Sequence, residues 1–264
     1  MLTVPHPPPL ILLPPSEGKA LGGEGPPWAP GTMGFDLDAR RERVLRTLAT
    51  AMRGSATARR GLLGVKGAAL ATATEADRCA TTSPTMPAIE RYTGVLYHVL
   101  DHRSLTVARR RRLDESVVIV SGLWGLVAPA DPIPDYKLKM GATLGRLGKL
   151  SAWWRADLSA RLAERADGRA VWNLLPNEHA AAWRPPVTLR QWSVRFLEPG
   201  RGGSLVVVSH RNKLLKGALV RHLLAHPAAT PGDLAGWRHP MGFRYDPMRD
   251  EERAGLTTLS FVLA

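Results

Sequence analysis

The sequence predicts an α/β protein, a single compact domain of mixed α+β architecture in which a mixed sheet is flanked by helices. Short apolar runs typical of buried strands alternate with longer segments whose apolar residues recur at helical spacing. No internal repeat, heptad pattern or clean linker divides the 264 residues, and the apolar (44%) and charged (22%) fractions are those of a globular protein. We therefore expect one domain spanning residues 1–264.

The first predicted strand is the apolar run at residues 10–13. It ends at two prolines and delivers Ser16, Glu17 and Lys19 beyond its carboxyl end. Residues 20–35 are rich in glycine and proline and predict a long surface loop, a kind of segment that is commonly functional.

Helical periodicity marks residues 35–54, 68–80 and 147–165, where apolar side chains recur every three or four positions. The last of these segments places Trp154 on an apolar stripe that we expect to lie in the core. A further helix follows the run at 205–208 and extends to about residue 225.

Apolar runs predict three more buried strands, at residues 117–120, 170–175 and 205–208, and a further strand is expected at 189–197. Polar or glycine-containing segments follow them, and functional side chains often lie at such strand ends. The order of strands and helices favours a mixed sheet with helices packed against it.

A formal charge of +13 and an isoelectric point near 10.8 give the chain a long-range attraction for polyanions. Most of this charge is arginine, with 29 arginines against seven lysines, a composition that GC-rich codon drift also produces. Runs such as 109–112, and the set Arg40, Arg41, Arg43 and Arg46, are therefore expected to be solvated helix faces.

The lysines are more informative than the arginines, because an ammonium group is compact and changes its pKa readily when it is buried. Five of the seven lie beside glycines or at strand ends, and these are Lys19, Lys137, Lys139, Lys213 and Lys216.

Cysteine content and hydropathy exclude several classes of protein. Cys79 is the single cysteine, which excludes an internal disulfide and a cysteine-cluster metal site. No run of about 18 apolar residues is present, and the N-terminal residues read as a strand and not as a signal peptide. We expect a cytoplasmic protein without a membrane partner, and the sequence indicates neither a cofactor nor a metal.

The turn from the run at 205–208 into the next helix is a candidate anion site. It contains Ser209 and His210, and a helix N-terminus offers free N–H groups to a phosphate or carboxylate. Lys213 and Lys216 add full positive charges there. An ordinary basic first turn is the alternative interpretation.

Two pairs of titratable residues are candidate acid and base groups. Glu17 and Lys19 lie two apart, so in an extended chain they face one way and can pair beside a substrate; a surface salt bridge is the alternative. Glu178 and His179 follow a strand and offer an acid, a base or metal ligands. No HxxxH or HExxH pattern lies nearby to favour the metal.

Residues 121–126, SGLWGL, have the two glycines and apolar flanks of a helix-hairpin-helix turn, whose backbone amides contact DNA phosphates. Glycines after a strand also permit a tight turn or close packing, which is the alternative. No P-loop, dinucleotide fingerprint, nucleophile elbow or kinase motif is present.

Five segments together cover nearly the whole chain: LPPSEGKA (13–20), RYTGVLY (91–97), VSGLWGLVAPADPIPDYKLKMG (120–141), WNLLPNEHAAAW (172–183) and SHRNKLLKG (209–217). In order and spacing they resemble the YaaA family of peroxide-stress proteins, also called UPF0246. The resemblance implies a mixed α/β fold with a basic cleft and a helix-hairpin-helix-like element. It also implies binding to duplex or distorted DNA, and protection of that DNA in peroxide stress by limiting free iron.

The resemblance further implies a set of cleft residues. They are Glu17, Lys19, Tyr92, Gly94, Gly122, Trp124, Gly125, Tyr136, Lys137, Met140, Asn173, Glu178, Lys213 and Gly217. Three more candidate ligand-binding residues, Ser16, Arg211 and Lys216, follow from their positions at strand and helix ends.

The first functional hypothesis is a nucleic-acid-binding stress protein. Its lysines and arginines contact phosphates, and Tyr92, Trp124 or Tyr136 stacks on an exposed base. The affinity of such a protein for DNA falls steeply with salt.

The second hypothesis is an enzyme, and a purely structural or partner-docking role is the third. Glu17, Lys19, Tyr92, Glu178 and Lys213 resemble an acid-base constellation more than a phosphate track. Such an enzyme acts on a nucleobase, a nucleotide or a small aromatic metabolite, with a lysine as proton donor, oxyanion stabiliser or Schiff-base nucleophile.

Overall fold

The computed structural model describes residues 7–208 and 211–264. Within these ranges the strands are β1 (Leu10–Leu13), β2 (Met86–Pro87), β3 (Val117–Ser121), β4 (Gly125–Val127), β5 (Pro132–Ile133), β6 (Val171–Asn173), β7 (Gln191–Pro199), β8 (Leu205–Val207), β9 (Phe243–Tyr245), β10 (Glu251–Arg253) and β11 (Leu256–Leu263). The helices are α1 (Asp38–Ala51), α2 (Ala56–Leu63), α3 (Ala68–Arg78), α4 (Ala88–Arg91), α5 (Val95–Leu100), α6 (Val107–Ser116), α7 (Leu150–Arg165), α8 (Asn177–Ala180) and α9 (Asn212–Ala225).

The main sheet is mixed, as predicted, with the strand order β10-β11-β7-β6-β1-β3-β4. Its five central strands, β11, β7, β6, β1 and β3, are mutually parallel, while β4, β8, β9 and β10 join antiparallel at the margins. In the middle, Ile11 pairs with Val117 on one side and with Trp172 on the other. All four residues of β1 are buried, because both faces of the sheet are covered.

The helix predictions at 35–54, 68–80 and 147–165 correspond to α1, α3 and α7. Trp154 of α7 is fully buried, which confirms its apolar stripe as core. The short helix α2 between α1 and α3 carries few large apolar residues and was not predicted.

The interpretation of residues 205–208 as a buried strand is wrong for most of its length. The strand β8 pairs antiparallel with β7 beyond the parallel region, and Val206 and Val207 are 45% and 58% exposed. Only Val208, after the strand, is buried. A short apolar run does not distinguish a central strand from an edge strand that has one solvated side.

The helix-hairpin-helix interpretation of residues 121–126 is also wrong. These residues form the turn of an antiparallel hairpin between β3 and β4, in which Ser121 pairs with Gly125. Gly125 has a φ of +71°, a conformation that glycine adopts without steric cost. The alternative interpretation, a tight turn, is therefore the one that the structure supports.

Arg41 does not belong to a solvated helix face, contrary to prediction. Its side chain is fully buried, and its guanidinium donates to the backbone oxygens of Phe35, Trp124 and Leu126 and to the Asp38 carboxylate. The buried carbonyls of the β3–β4 hairpin need donors, and this arginine supplies them. Helical periodicity could not show which of several neighbouring arginines turns inward.

Residues 20–35 form a loop, as predicted, but the loop is held against the core. Trp28 is 8% exposed and its ring lies 5.4 Å from that of Trp124, centre to centre. Gly25 forms a β-bridge with Thr85. No helix among residues 7–208 and 211–264 has the length and apolar character needed to cross a bilayer.

Candidate functional site

The candidate site lies at the carboxyl ends of the parallel strands, where the direction of strand addition reverses. From β1 the chain crosses to β3 on one side, whereas β6 lies on the other side and is followed outward by β7. Ligands of open α/β sheets bind beyond the carboxyl ends at such a switch point. Here the segments that follow β1 and β6 face each other across it.

A small cavity of about 90 Å³ occupies this point, and we call it the lysine pocket. Its lining comes from the segment after β1, the segment after β5, the segment after β6 and the first turn of α9. The lining residues are Pro14, Pro15, Ser16, Glu17, Lys19, Tyr136, Lys137, Leu138, Lys139, Pro176, Glu178, His179 and Lys213. Seven predicted site residues, Ser16, Glu17, Lys19, Tyr136, Lys137, Glu178 and Lys213, are therefore brought together.

Glu17 does not pair with Lys19, contrary to the pairing predicted from their spacing. Its carboxylate lies 2.9 Å from the ammonium of Lys139 and 3.7 Å from that of Lys137. The hydrogen bond from Lys139 lowers the pKa of Glu17, and the charges of Lys137 and Lys213 lower it further. The exposed carboxylate thus has several cations around it, and the pocket is left with excess positive charge.

Lys19 lies deeper, against two aromatic rings. Its ammonium donates to the backbone oxygen of Ser16 at 3.1 Å and lies 4.1 Å from the centre of the Tyr136 ring and 5.9 Å from that of Tyr92. Burial lowers the pKa of Lys19 to about 8, although the negative charge of Asp135 opposes this. A substantial fraction of this amine is therefore neutral near physiological pH.

A chain of buried hydroxyl groups continues inward from Lys19. The Tyr136 hydroxyl lies 2.8 Å from that of Tyr92 and 2.8 Å from that of Ser121. Burial raises the pKa of Tyr136 to about 12 and raises that of Tyr92 well above its ordinary value. Both phenols are therefore protonated at neutral pH and can relay a proton between hydrogen-bonded oxygens.

Asp77 is a site residue that sequence reasoning missed. One carboxylate oxygen of this buried side chain accepts the backbone N–H of Lys137 at 2.7 Å. Its Oδ2 has no hydrogen-bond partner among the described residues. Burial raises the pKa of Asp77 to about 6, although the positive charge of Lys19 lowers it. Asp77 thus positions the lysine-bearing segment and titrates near neutral pH.

Glu178 and His179 lie on the opposite wall of the pocket. The His179 Nδ1 lies 3.5 Å from Glu178 Oε1, and this ring nitrogen makes no hydrogen bond to any described residue. Burial lowers the pKa of His179 to about 4, with help from the charge of Lys213. The imidazole is therefore neutral at pH 7, so this contact is not an ion pair. Glu178 also packs against Gly141, where a β-carbon would lie 2.7 Å from Oε2.

Four predicted residues lie beneath the lining of the pocket and support it. They are Gly94, Gly122, Trp124 and Met140. A β-carbon on Gly94 would lie 2.2 Å from Ser16 Oγ, and one on Gly122 would lie 2.5 Å from the backbone of Lys139 and Met140. These glycines let the walls approach each other closely. Trp124 and Met140 are fully buried beneath them.

The predicted stacking of Tyr92, Trp124 or Tyr136 on an exposed base is wrong for this conformation. Their exposed fractions are 2%, 0% and 2%. Trp124 packs edge-on to Tyr136. The rings build the floor of the site and leave no face for a nucleobase.

Other predicted residues lie outside the lysine pocket. Gly217 packs α9 against Leu96 and Val99, Asn173 accepts the backbone N–H of Leu175, and Arg211 pairs with Glu198. Their contacts are structural and hold elements together. Gly125, as the hairpin turn, belongs with them.

The predicted anion site at the start of α9 is only partly described. Ser209 and His210 lie outside the described residues. Lys213 lines the lysine pocket, whereas the ammonium of Lys216 donates to the backbone oxygen of Leu174 at 3.0 Å. Burial lowers the pKa of Lys216 to about 8. The two lysines of this helix therefore have different surroundings.

Lys139 is a pocket residue outside the predicted set, although the sequence carried a signal for it. It lies two residues from Lys137 in an extended segment, the same spacing that singled out Glu17 and Lys19. Asp77 carried no such signal, because it is one of several charged residues on α3. No group of three or more histidine, cysteine or carboxylate side chains among the described residues is arranged to hold a metal ion.

Comparison with known proteins identifies the family. A family model described as peroxide stress protein YaaA matches residues 10–249. A UPF0246 protein of Streptomyces coelicolor is 42% identical over 227 residues, which cover 84% of this chain and 85% of that protein. A UPF0246 protein of Corynebacterium glutamicum is 37% identical over 81% of this chain and 84% of its own length. The chain therefore belongs to the YaaA family of peroxide stress proteins.

Proposed function

We propose that this chain protects DNA during peroxide stress by binding the phosphates of duplex or distorted DNA, with the lysine pocket at the centre of the contact. The observation that carries this proposal is the convergence of Lys137, Lys139 and Lys213 around the exposed carboxylate of Glu17. A phosphate that approaches this surface meets excess positive charge. The formal charge of +13 extends the attraction beyond the pocket.

Binding of this kind limits iron-dependent damage through counterion release. Lysines that neutralise DNA phosphates displace the cations held near them, and this applies to Fe²⁺ as to other cations. Because the rings of Tyr92, Trp124 and Tyr136 are buried, we expect contact through phosphates and little dependence on base sequence.

The test is the binding of a fluorescent duplex, and of the same duplex with a central bubble, across a potassium chloride series. We expect Lys139→Ala and Lys213→Ala each to weaken binding and to reduce the slope of log K against log salt by about 0.9, the value for one lost phosphate contact. Lys66→Ala removes the same charge at an exposed site outside the pocket and serves as the control. Equal slopes for all three variants would contradict the proposal.

The second candidate function, an enzyme acting on a small metabolite, is favoured by the surroundings of Lys19. A half-buried amine with a pKa near 8, beside a chain of buried hydroxyls, exceeds what phosphate binding requires. The pocket is small, with a cavity of about 90 Å³, so a small metabolite fits better than a nucleotide. Among nucleobases and aromatic metabolites, only the smallest match this volume.

The enzyme hypothesis predicts stabilisation of the folded protein by a small ligand. A panel of nucleobases, aromatic metabolites and small anionic metabolites is compared by thermal shift on the wild type and on Lys19→Met. A compound that raises the Tm of the wild type and not that of Lys19→Met supports the enzyme. If no compound raises the Tm of the wild type, the result counts against the enzyme hypothesis and in favour of DNA as the ligand.

A further inference from the structure

The chemical state of Lys19 goes beyond what a phosphate-binding lysine needs. Among the described residues, no carboxylate oxygen lies within 4.0 Å of its ammonium, and the carboxylate of Glu17 is held by Lys137 and Lys139. The contacts of the amine are the Ser16 carbonyl and the face of the Tyr136 ring. These contacts tolerate a neutral amine as well as a charged one.

Burial favours the neutral amine. It is the main cause of the lowered pKa of Lys19, about 8, and the charge of Lys137 contributes, whereas the charges of Asp135, Asp77 and Glu17 oppose it. At neutral pH the neutral fraction of Lys19 is therefore on the order of a hundredfold larger than that of an exposed lysine. An amine that is both desolvated and close to other cations is the arrangement that activates lysine as a nucleophile.

The pocket also provides for the rest of a small carbonyl substrate. Lys137, Lys139 and Lys213 line the same cavity and can hold a carboxylate beside the amine of Lys19. The small cavity, of about 90 Å³, suits a substrate of few non-hydrogen atoms.

Proton carriers lie within the same site. The Tyr136 hydroxyl is linked to those of Tyr92 and Ser121, and Asp77 holds one carboxylate oxygen without a hydrogen-bond partner among the described residues. With a pKa near 6, because of its burial, Asp77 can both accept and release a proton near neutral pH.

We propose that Lys19 is an imine-forming lysine that condenses with the carbonyl group of a small 2-oxo acid, whose carboxylate is held by Lys137, Lys139 and Lys213. The amine nitrogen attacks the carbonyl carbon, and the C=O electron pair moves to oxygen. One proton passes from nitrogen to that oxygen and gives a carbinolamine. Loss of a second N–H proton and of the hydroxyl as water then gives the C=N bond, so amine and ketone become imine and water.

This inference rests on the second of the two proposed functions, the enzyme. It assigns that enzyme a substrate class and a covalent step, and it requires no oxidant, reductant or metal ion. The chemistry explains why the pocket combines a lysine of lowered pKa with ordinary charged lysines, since Lys19 must attack the carbonyl and the others must hold the carboxylate.

The test traps the imine by reduction. The full-length protein is incubated with pyruvate and cyanoborohydride, and the labelled lysine is identified by peptide mass spectrometry. Acetone, which has the same reacting carbonyl but no carboxylate, is the matched probe. We expect pyruvate to label Lys19 roughly tenfold or more faster than the exposed Lys66, with a rate that rises with pH and reaches half its maximum near pH 8.

Two variants separate attack from anion binding. Lys19→Arg keeps the positive charge and should lose the adduct. Lys139→Ala removes one of the three lysines that hold the carboxylate, so it should slow labelling by pyruvate and leave labelling by acetone in place. Labelling of Lys19 no faster than that of Lys66, or equal rates with pyruvate and acetone in the wild type, overturns the proposal.

A thermal-shift measurement distinguishes failure of this inference from failure of the enzyme hypothesis. A panel compound that stabilises the wild type and not Lys19→Met, together with no trapped adduct, overturns the imine and keeps the small-molecule site. No stabilisation and no adduct overturn both, and the DNA-binding proposal is then tested by its own salt series.

Discussion

The two ends of the parallel strands carry cavities of opposite character. At the carboxyl ends, the lysine pocket has about 90 Å³ and is lined by lysines and carboxylates. At the amino ends, a groove of about 790 Å³ is lined largely by proline and alanine with Trp192. Arg169 of this groove donates to the backbone oxygens of Pro8 and Glu115. The larger cavity is therefore not the one in which titratable groups converge.

The difference follows from chain geometry. The connections that follow β1 and β6 lead away to opposite sides of the switch point. The segments directly after these strands therefore bring polar side chains into one small space. At the amino ends the chain enters β1 through prolines 7–9 and approaches β7 through Pro185 and Pro186, and proline lacks an N–H group to offer to a ligand. The site is marked by the convergence of titratable side chains and not by the volume of the cavity.

The largest expected effect on stability comes from adding a β-carbon to a glycine at the carboxyl end of the parallel strands. Gly122→Ala places that atom 2.5 Å from the backbone of Lys139 and Met140, and we expect a loss of about 3 kcal/mol or more in the free energy of unfolding. Gly168→Ala at the amino end meets no atom within 4 Å and strains only a φ of +65°, which costs about 1 kcal/mol. Urea denaturation measures both. Equal losses would contradict the close packing of the lysine pocket.

The second expected effect is a pH dependence of the free energy of unfolding that comes from the buried His179. Its folded pKa of about 4 lies below the ordinary 6.5, so the unfolded state binds more protons between these values. The stabilisation is fully present above pH 6.5 and is lost as the pH falls toward 4. Between pH 7 and 5 the wild type should lose about 2 kcal/mol more than His179→Gln.

Urea denaturation of both proteins at pH 7, 6 and 5 checks this prediction. His222, whose pKa burial also lowers to about 4 and which lies beside a different cavity, contributes the same slope to both proteins. An equal loss of stability in the wild type and in His179→Gln would contradict the prediction. That result would show that the pH dependence does not belong to the carboxyl end of the sheet.

The smallest expected effect on stability is that of Glu17→Gln. Its side chain is 63% exposed, so we expect the free energy of unfolding to stay within about 0.5 kcal/mol of the wild type. Removal of the only carboxylate paired with Lys137 and Lys139 among the described residues should nevertheless raise the affinity for DNA. The duplex titration described above measures this. Weaker binding would show that Glu17 orders the lysines instead of screening them.

The fold was largely predictable because buried parallel strands leave continuous apolar runs in the sequence. The strands β1, β3 and β6 and the helices α1, α7 and α9 follow such patterns. The errors occurred where the pattern was ambiguous. The run at 205–208 is partly exposed, and the glycines of 121–126 form a hairpin turn.

The site was predictable to the extent that its residues follow strands. Ser16, Glu17, Lys19 and Glu178 lie directly after β1 and β6, and a polar segment at that position signals a site from sequence alone. Gly217 and Trp124 were misplaced, since a glycine or tryptophan serves packing as readily as binding.

By itself, the sequence determined the family, the parallel sheet and the strand ends at which a site would lie, because these are encoded by short motifs and local periodicity. Only the tertiary structure decided which side chains contact each other in the site. Asp77 meets a backbone N–H that lies 60 residues further along the chain, and Glu17 turns to Lys139 and away from Lys19. Such contacts depend on how distant segments pack, and that packing sets the burial which leaves the amine of Lys19 partly neutral.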